Sequence, residues 1–213
     1  MNFGNIMIFG DSYSTFKDYI PENYAVYYHK DADYTDVNSV EDTWWHKLIT
    51  ETDSKLIMND SWSGSTICHT GYNNSDCSKT SSFVYRLNKY ISDGYFKKNK
   101  IDTVFVFGGT NDSWAGSPIG ELKYSDWKNE ELFMFLPAFT YFLNRLKETL
   151  PDARIICVIN TELRFEITNG MIEASEHYGV DCIKLKDIDK TSGHPTVKGM
   201  EQIKNQILEG LIK

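Results

Sequence analysis

Five short apolar runs, each followed or separated by a segment of helical periodicity, constrain the fold of this chain more than any other feature. Strands that alternate with helices of this length form a mostly parallel sheet that helices cover on both faces. The run rich in Val and Phe is expected to be central in that sheet. The predicted strands are residues 5–9, 55–58, 101–107, 155–159 and 182–185.

Between the apolar runs, apolar residues recur three and four positions apart, which predicts helices. Local chemistry suggests three boundaries. Pro137 and Pro195 are each expected at the first position of a helix, and Gly179 is expected as a C-cap. The predicted helices are residues 41–52, 83–91, 137–150, 166–177 and 195–211.

Two long stretches without periodicity, residues 13–40 and 64–79, directly follow predicted strands. Irregular loops of this length in a compact domain are often functional. In an open α/β sheet the binding crevice lies at the carboxyl edge, where such loops emerge. We therefore look for the functional residues in these two stretches and at the other strand ends.

Composition restricts the class of protein. The 213 residues are 41% hydrophobic and 24% charged, which fits one domain over residues 1–213. A net charge of -8 would repel nucleic acid and anionic membrane surfaces. No apolar stretch approaches the roughly 20 residues of a membrane span. The N-terminus shows no signal-peptide pattern, so a cytoplasmic location is expected, or an exported one if a signal peptide was removed.

The cysteines do not suggest a metal site, because none has the spacing of zinc ligands. Cys157 and Cys182 lie in apolar strand-like runs, where a free thiol behaves as a small hydrophobe. Cys68 and Cys77 share a polar loop and would pair only in an exported protein. We expect neither a metal nor a cofactor, and the sequence leaves the oligomeric state open.

Chemistry-bearing residues appear where the first strand ends and where the last helix is expected to begin. Gly10-Asp11-Ser12 follows the first strand and delivers a serine hydroxyl, which needs an adjacent base to become a nucleophile. Gly193-His194-Pro195 delivers an imidazole, and a nearby helix N-terminus would disfavour its charged form. The alternative for Asp11 and Ser12 is an ordinary turn.

Two further strand ends offer hydrogen-bond donors. Gly64 follows the second strand, and its backbone N–H can face inward without side-chain obstruction. Asn111 follows the third strand and two glycines, and its amide can donate to an oxyanion. Singly, each is explained by turn chemistry. Together with Ser12 and His194, they supply a nucleophile, a base and oxyanion donors, the parts needed for acyl transfer.

In this order the blocks resemble the SGNH hydrolases, also called the GDSL esterase/lipase family, over nearly the whole chain. The resemblance implies that Ser12 is the nucleophile and His194 the base. It also implies an oxyanion hole made by the backbone N–H groups of Ser12 and Gly64 and the side chain of Asn111. The implied fold is a three-layer α/β/α sandwich, flavodoxin-like, with about five mostly parallel strands. The matching blocks are Phe9-Gly10-Asp11-Ser12, Ser63-Gly64, Gly109-Thr110-Asn111-Asp112 and Gly193-His194-Pro195.

One position departs from the family pattern. The family usually has an aspartate three residues before the histidine, and this chain has Thr191 there. Asp187 and Asp189 are nearby, and Asp189 is the preferred candidate for the triad acid because it is closer to His194. Two alternatives stay open. A backbone carbonyl could orient the imidazole of a Ser-His dyad, and the two aspartates could be solvent-facing turn residues.

The function predicted from these residues is a serine esterase that acts on a small-acyl ester. Tyr13, Trp62 and Trp114 lie beside the blocks and could bind substrate by stacking on a sugar ring. Such stacking favours a carbohydrate ester, for example an acetylated sugar. The alternative is that the three rings pack the loops. A lysophospholipase or thioesterase of the same fold is one alternative. A catalytically weak binding module is another, suggested by Thr191. A flavin or nucleotide binder is disfavoured, because no Gly-x-Gly-x-x-Gly follows a strand.

Overall fold

A five-stranded parallel sheet forms the centre of the protein. The computed structural model describes residues 1–212. Neighbouring strands pair in the order β2-β1-β3-β4-β5, and every pair is parallel. The mostly parallel sheet and the central position of the Val- and Phe-rich strand are therefore confirmed. The strands are β1 (Asn5–Gly10), β2 (Lys55–Ser61), β3 (Thr103–Phe107), β4 (Arg154–Ile159) and β5 (Asp181–Lys184).

Helices cover both faces of this sheet, as expected for strands joined by helical crossovers. Helices α2, α5 and α6 contribute to the core on one face, and α1 and α7 contribute to the core on the other. The helices are α1 (Trp44–Thr52), α2 (Phe83–Ser92), α3 (Tyr95–Lys98), α4 (Thr110–Trp114), α5 (Phe135–Thr149), α6 (Phe165–Tyr178) and α7 (Val197–Leu211).

Alternate residues of each central strand enter opposite layers, because successive strand side chains point to opposite faces. On one side, Phe9 of β1 packs edge-on against Phe142 of α5, with ring centroids 5.2 Å apart. On the other side, Phe105 of β3 packs edge-on against Trp44 of α1 at 5.7 Å. Burial on both faces explains why these strands are continuous apolar runs in the sequence.

The proline boundaries differ from the prediction, whereas Gly179 is confirmed as the C-cap of α6 in the left-handed conformation. Helix α5 begins at Phe135, so Pro137 is its third residue, still in the first turn where backbone N–H groups have no intrahelical acceptor. Pro195 is not the first residue of a helix. It lies in a two-residue strand, and α7 begins at Val197 after Thr196, whose hydroxyl accepts a hydrogen bond from the Gly199 N–H.

That two-residue strand, β7 (His194–Pro195), pairs antiparallel with β6 (Lys190–Thr191). Only Ser192 and Gly193 connect the two strands, and both have positive φ, 50° and 79°. Two positive φ values are the requirement of the type I′ turn that joins tight hairpins. The hairpin is therefore the element that carries His194.

The first of the two long loops, residues 13–40, is fastened over the carboxyl edge of the sheet. The Ser63 N–H donates to the Ala25 carbonyl at 2.8 Å. The Tyr28 hydroxyl donates to the Pro195 carbonyl at 2.9 Å. These bonds bring the loop against both the end of β2 and the hairpin of His194, so that three distant parts of the chain share one edge.

Two further observations concern long apolar helices and clusters of metal-ligating side chains. Within residues 1–212, no helix is long and apolar enough to cross a membrane. Over the same range, no group of three or more His, Cys, Asp or Glu side chains is arranged to hold a metal ion. Cys157 and Cys182 face each other across β4 and β5 as free thiols, and Cys68 and Cys77 are free as well.

Candidate active site

Ser12 lies at the first position of a short 3-10 helix, Ser12–Ser14, immediately after β1. Its side chain reaches the sheet edge while the residue stays only 3% exposed. Gly10 permits this turn, because a Cβ at that position would lie 2.7 Å from the Ser14 Cβ and would also clash with Ser61. The N–H of Ser12 is at a helix start, where the helix itself provides no acceptor.

The buried side chain of Asp11 stabilises the turn that carries Ser12. Its carboxylate accepts a hydrogen bond from the Tyr13 N–H at 3.0 Å, and its Oδ2 has no partner within residues 1–212. Burial raises the pKa of Asp11 to about 7, against the opposing effect of the bond from Tyr13 and a contact with Thr110. Asp11 therefore belongs to the support of the Ser12 turn.

The structure brings Ser12 and His194 together across 182 residues of chain. The His194 Nε2 lies 3.0 Å from the Ser12 Oγ. On the opposite side of the ring, Nδ1 lies 3.3 Å from the Ser192 carbonyl oxygen. A carbonyl accepts only, so Nδ1 carries the hydrogen and Nε2 is left as the acceptor for the serine proton.

Asp189 does not reach the imidazole, contrary to the prediction. Its Oδ2 accepts a hydrogen bond from the Thr196 hydroxyl, and its Oδ1 lies 4.0 Å from the Lys198 ammonium. Asp187 is exposed, with φ 50°. Neither carboxylate is hydrogen-bonded to His194, and the Ser192 carbonyl is the partner of Nδ1.

The hairpin explains the departure at Thr191. Thr191 pairs directly with His194 across the two short strands. Its backbone therefore runs beside that of His194, and the turn at Ser192 folds back so that its own carbonyl faces Nδ1. The sequence left a backbone carbonyl open as the orienting group but could not identify which one, because a backbone carbonyl has no residue signature. The Ser-Gly pair at a two-residue turn was the only available sign of the hairpin.

Aromatic rings surround the imidazole. The ring of Tyr27 is stacked on it, with centroids 3.6 Å apart and planes 6° apart. Trp114 meets it edge-on at 5.8 Å, and Tyr13 and Tyr28 approach at 5.4 and 6.4 Å. This burial lowers the pKa of His194; the hydrogen bond to Ser192 opposes the change, and the charge of Lys190 reinforces it. The imidazole is consequently neutral at pH 7 and able to accept a proton.

Gly64 and Asn111 lie at the ends of the two strands that flank β1. Gly64 has φ 80°, and a Cβ there would contact nothing within 4 Å, so the space beside its Cα is open. The Asn111 Nδ2 donates to the Ser65 carbonyl at 3.0 Å, and its Oδ1 accepts from the Tyr72 hydroxyl at 2.8 Å. These two bonds define which end of the amide is the donor and leave its second N–H hydrogen free for another acceptor.

Buried Asp112 anchors the loop that contains Gly64. Its two carboxylate oxygens accept from the backbone N–H groups of Ile67 and Cys68, at 2.8 and 3.1 Å. Burial raises the pKa of Asp112 to about 6, and these two hydrogen bonds oppose the rise. The loop after β2 and the helix α4 that carries Asn111 are thereby held as one unit.

Buried Arg86 connects the ends of β1 and β2 through its hydrogen bonds. The sequence by itself did not single it out. Its guanidinium pairs with the Asp60 carboxylate, and both residues are at most 1% exposed. It also donates to the Gly10 carbonyl at 3.3 Å and to the Ser65 hydroxyl at 3.2 Å. The available signal was its spacing, since position 86 is three residues after Phe83 on the apolar stripe of α2.

The three aromatic residues proposed to line the substrate site divide into two kinds. Tyr13 is fully buried, and its hydroxyl donates to the Gly193 carbonyl, so it supports the His194 hairpin and does not present a surface to substrate. Trp62 is half-buried and packs on Tyr24 with centroids 4.3 Å apart. Trp114 is 45% exposed, beside the imidazole. Trp62 and Trp114 are therefore the two that remain available to a ligand.

The chain is similar to known proteins over nearly its whole length. The family model described as GDSL-like Lipase/Acylhydrolase matches residues 4–211. A structure assigned as a GDSL-like lipase from Bacteroides ovatus is 44% identical, with a TM-score of 0.90; the alignment covers 97% of this chain and 96% of the other. One from Bacteroides uniformis is 43% identical, also with a TM-score of 0.90, and the alignment covers 98% and 95%.

More distant structures share the fold. A family two carbohydrate esterase from Clostridium thermocellum, solved in complex with cellohexaose, is 13% identical with a TM-score of 0.64. The alignment covers 97% of this chain and 62% of that one. A search of curated proteins found no match.

Proposed function

Because the chain belongs to the GDSL-like lipase/acylhydrolase family, we propose that it is a serine esterase in which Ser12 is the nucleophile and His194 the general base. This membership confirms the resemblance first seen in the four sequence blocks. The single observation that carries the proposal is the 3.0 Å contact between the Ser12 Oγ and the His194 Nε2. That distance suits direct proton transfer from the hydroxyl to the imidazole.

In the proposed reaction, the Ser12 Oγ attacks the ester carbonyl carbon while the His194 Nε2 takes the hydroxyl proton. The carbonyl oxygen becomes an oxyanion that accepts hydrogen bonds from the N–H groups of Ser12 and Gly64 and from the Asn111 amide. The C–O bond to the alcohol then breaks, and His194 returns its proton to the leaving oxygen. Water, deprotonated by His194, hydrolyses the acyl-serine and releases the acid.

The Ser192 carbonyl takes the place of the usual triad acid in this scheme. It holds the Nδ1–H tautomer, so that Nε2 always faces Ser12. A carbonyl dipole stabilises the imidazolium less than a carboxylate would, because it carries no net charge. The proposed centre is thus a Ser-His dyad with a backbone orienter.

For the substrate, we propose an ester of a carbohydrate with a small acyl group, such as an acetylated sugar. Two features support this choice. Trp114 offers an exposed indole surface beside the imidazole, and half-buried Trp62 directly follows β2 at the same edge of the sheet. Indole surfaces suit stacking on sugar rings. Structures with the same fold include carbohydrate esterases. A lysophospholipase or thioesterase is the second candidate, carried by the family assignment as a lipase/acylhydrolase.

Covalent labelling tests the nucleophile directly. The protein is incubated with a fluorophosphonate, and the modified residue is located by peptide mass spectrometry. We expect stoichiometric labelling at Ser12 and loss of labelling in His194→Ala, because the hydroxyl is activated only by its base. Labelling elsewhere, or equal labelling with and without His194, would contradict the proposed centre and would favour a binding module.

A substrate panel tests the acyl and alcohol preference. The panel contains p-nitrophenyl acetate, an acetylated cello- or xylo-oligosaccharide, a lysophospholipid and an acetyl thioester, with Ser12→Ala measured in parallel as the background. We expect kcat/KM to be largest for the acetylated saccharide. A preference for the lysophospholipid or the thioester would replace the carbohydrate ester with the second candidate while leaving the esterase centre intact.

Asp189→Asn provides a test of the dyad. Because the Asp189 carboxylate contacts Thr196 and not His194, we expect kcat to stay within about threefold of wild type, whereas loss of a true triad acid costs about 10⁴-fold. The measurement is kcat on p-nitrophenyl acetate, with thermal unfolding to monitor the start of α7. A loss of several orders of magnitude would show that Asp189 contacts the imidazole in the working enzyme.

A further inference from the structure

We propose that the aromatic face of Tyr27 stabilises the imidazolium form of His194 and so takes over part of the charge stabilisation that a triad carboxylate would supply. The proposal rests on the proposed function, because the imidazolium forms when His194 accepts the Ser12 proton. Tyr27 would act through His194 and is therefore a positioning and electrostatic residue, without contact to the reacting ester atoms.

The need for such a group follows from the surroundings of His194. The orienting partner of Nδ1 is a neutral carbonyl, and the carboxylate of Asp189 is hydrogen-bonded to Thr196 instead. The positive charge of Lys190 acts on the ring and disfavours its protonation. The imidazolium therefore forms in a half-buried place, and no carboxylate in residues 1–212 is hydrogen-bonded to it. Any other group that places negative electrostatic potential next to the ring then supplies a larger share of its stabilisation.

The stack has the geometry that provides this potential. The two rings are 3.6 Å apart between centroids and within 6° of parallel, so the imidazole lies over the face of the phenol. An aromatic face carries the negative part of the ring quadrupole, and a cation within about 6 Å of its centroid is attracted to it. The attraction acts on the charged form and hardly on the neutral one, which makes it larger in the transition state.

Hydrogen bonds also link Tyr27 to the turn that carries the proposed nucleophile. Its N–H donates to the Thr15 Oγ1 at 3.0 Å, and the same hydroxyl donates to the Ser12 carbonyl at 3.0 Å. The Tyr34 hydroxyl donates to the Tyr27 carbonyl. One threonine side chain thereby links the turn of Ser12 to the residue that stacks on its base. The stack is preformed and needs no rearrangement when the proton moves.

The other two tyrosines around the imidazole do a different task. The hydroxyl of Tyr13 donates to the Gly193 carbonyl, and that of Tyr28 donates to the Pro195 carbonyl. These two hydrogen bonds therefore fix the backbone on either side of His194. Tyr28 meets the imidazole at 77° and Tyr13 at 50°, so neither offers its face in the way that Tyr27 does.

The test compares Tyr27→Leu with Tyr27→Phe. Leucine keeps most of the apolar cover over His194 and removes the π face, whereas phenylalanine keeps the face and removes the hydroxyl. We expect kcat on p-nitrophenyl acetate to fall about three- to tenfold in Tyr27→Leu, with KM changed less, and most of the rate to return in Tyr27→Phe. A matched control is Tyr124→Leu. It removes a similar stack on His177, with ring centroids 3.7 Å and planes 16° apart, outside the candidate site. This variant should leave kcat unchanged.

A titration of the His194 imidazole by NMR gives a readout that packing alone would not produce. Asp11, with its pKa raised to about 7, would also contribute to the pH-rate profile, so that profile by itself would be ambiguous. We expect the His194 pKa to be lower in Tyr27→Leu than in wild type and Tyr27→Phe. An unchanged or raised pKa, or a Phe variant as slow as the Leu variant, would overturn the proposal.

The two hypotheses fail in different ways. If the wild-type protein hydrolyses no ester, the proposed function is wrong, and the titration still decides whether the Tyr27 face stabilises the cation. If wild type is active and Tyr27→Leu matches it in both kcat and imidazole pKa, the esterase stands and the role given to Tyr27 is wrong.

Discussion

Replacing Ser12 with alanine is expected to lower kcat/KM for ester hydrolysis by roughly 10⁴-fold or more, because the variant has no oxygen from which an acyl-serine can form. His194→Ala should cause a loss of the same order, since the hydroxyl is a poor nucleophile without its base. The two groups are 3.0 Å apart and act on a single proton. The double variant should therefore be no slower than either single one.

These rates are measured on p-nitrophenyl acetate with the three variants side by side. Ser92→Ala, an exposed serine at the end of α2, serves as the matched control and should behave as wild type. Thermal unfolding of Ser12→Ala should match wild type closely, because only a hydroxyl is removed. If Ser12→Ala keeps more than a tenth of the activity, or if the double variant multiplies the two losses, Ser12 and His194 do not form one centre.

The second large effect is expected on stability. Replacing Arg86 with methionine should lower the free energy of unfolding by about 3–5 kcal/mol, because the buried Asp60 carboxylate would lose its counter-ion. The Gly10 carbonyl and the Ser65 hydroxyl would lose a donor in the same step. Both flank the proposed oxyanion site, so we expect activity to fall along with stability.

Urea unfolding provides the measurement. Arg145→Met is the matched control, since Arg145 forms a partly exposed ion pair with Glu148 and its loss should change the free energy by less than about 1 kcal/mol. In the double variant Arg86→Met/Asp60→Leu, both charges are gone, and much of the stability should return. If Arg86→Met is as stable as the control, the buried pair does not contribute what its burial indicates.

Much of the candidate site could be predicted because of one property of parallel sheets. The carboxyl ends of β1, β2 and β3 emerge at one edge, so residues that follow these strands become neighbours whatever their separation in sequence. Ser12, Gly64 and Asn111 were located in this way. Helix limits were predicted less well, as at Pro195, because hairpin pairing competes there with helix formation.

Residues that act through long-range contacts could not be predicted. Asp189 is closer to His194 in sequence than Asp187 is, yet its carboxylate binds Thr196, because the hairpin turns the chain between them. Tyr27 and Tyr72 lie in loops whose course no periodicity describes. Arg86 lies on the apolar stripe of α2, and only the structure shows that its guanidinium contacts the ends of β1 and β2.

The amino-acid sequence by itself determined the layered α/β fold, the strand ends that carry Ser12, Gly64 and Asn111, and the choice of His194 as the candidate base, because apolar periodicity and glycine-rich strand ends are local properties. The tertiary structure alone decided which group orients the imidazole and which ring covers it. Those choices depend on a backbone carbonyl at Ser192 and on a stack between residues 27 and 194, and such contacts exist only after distant segments have been brought together.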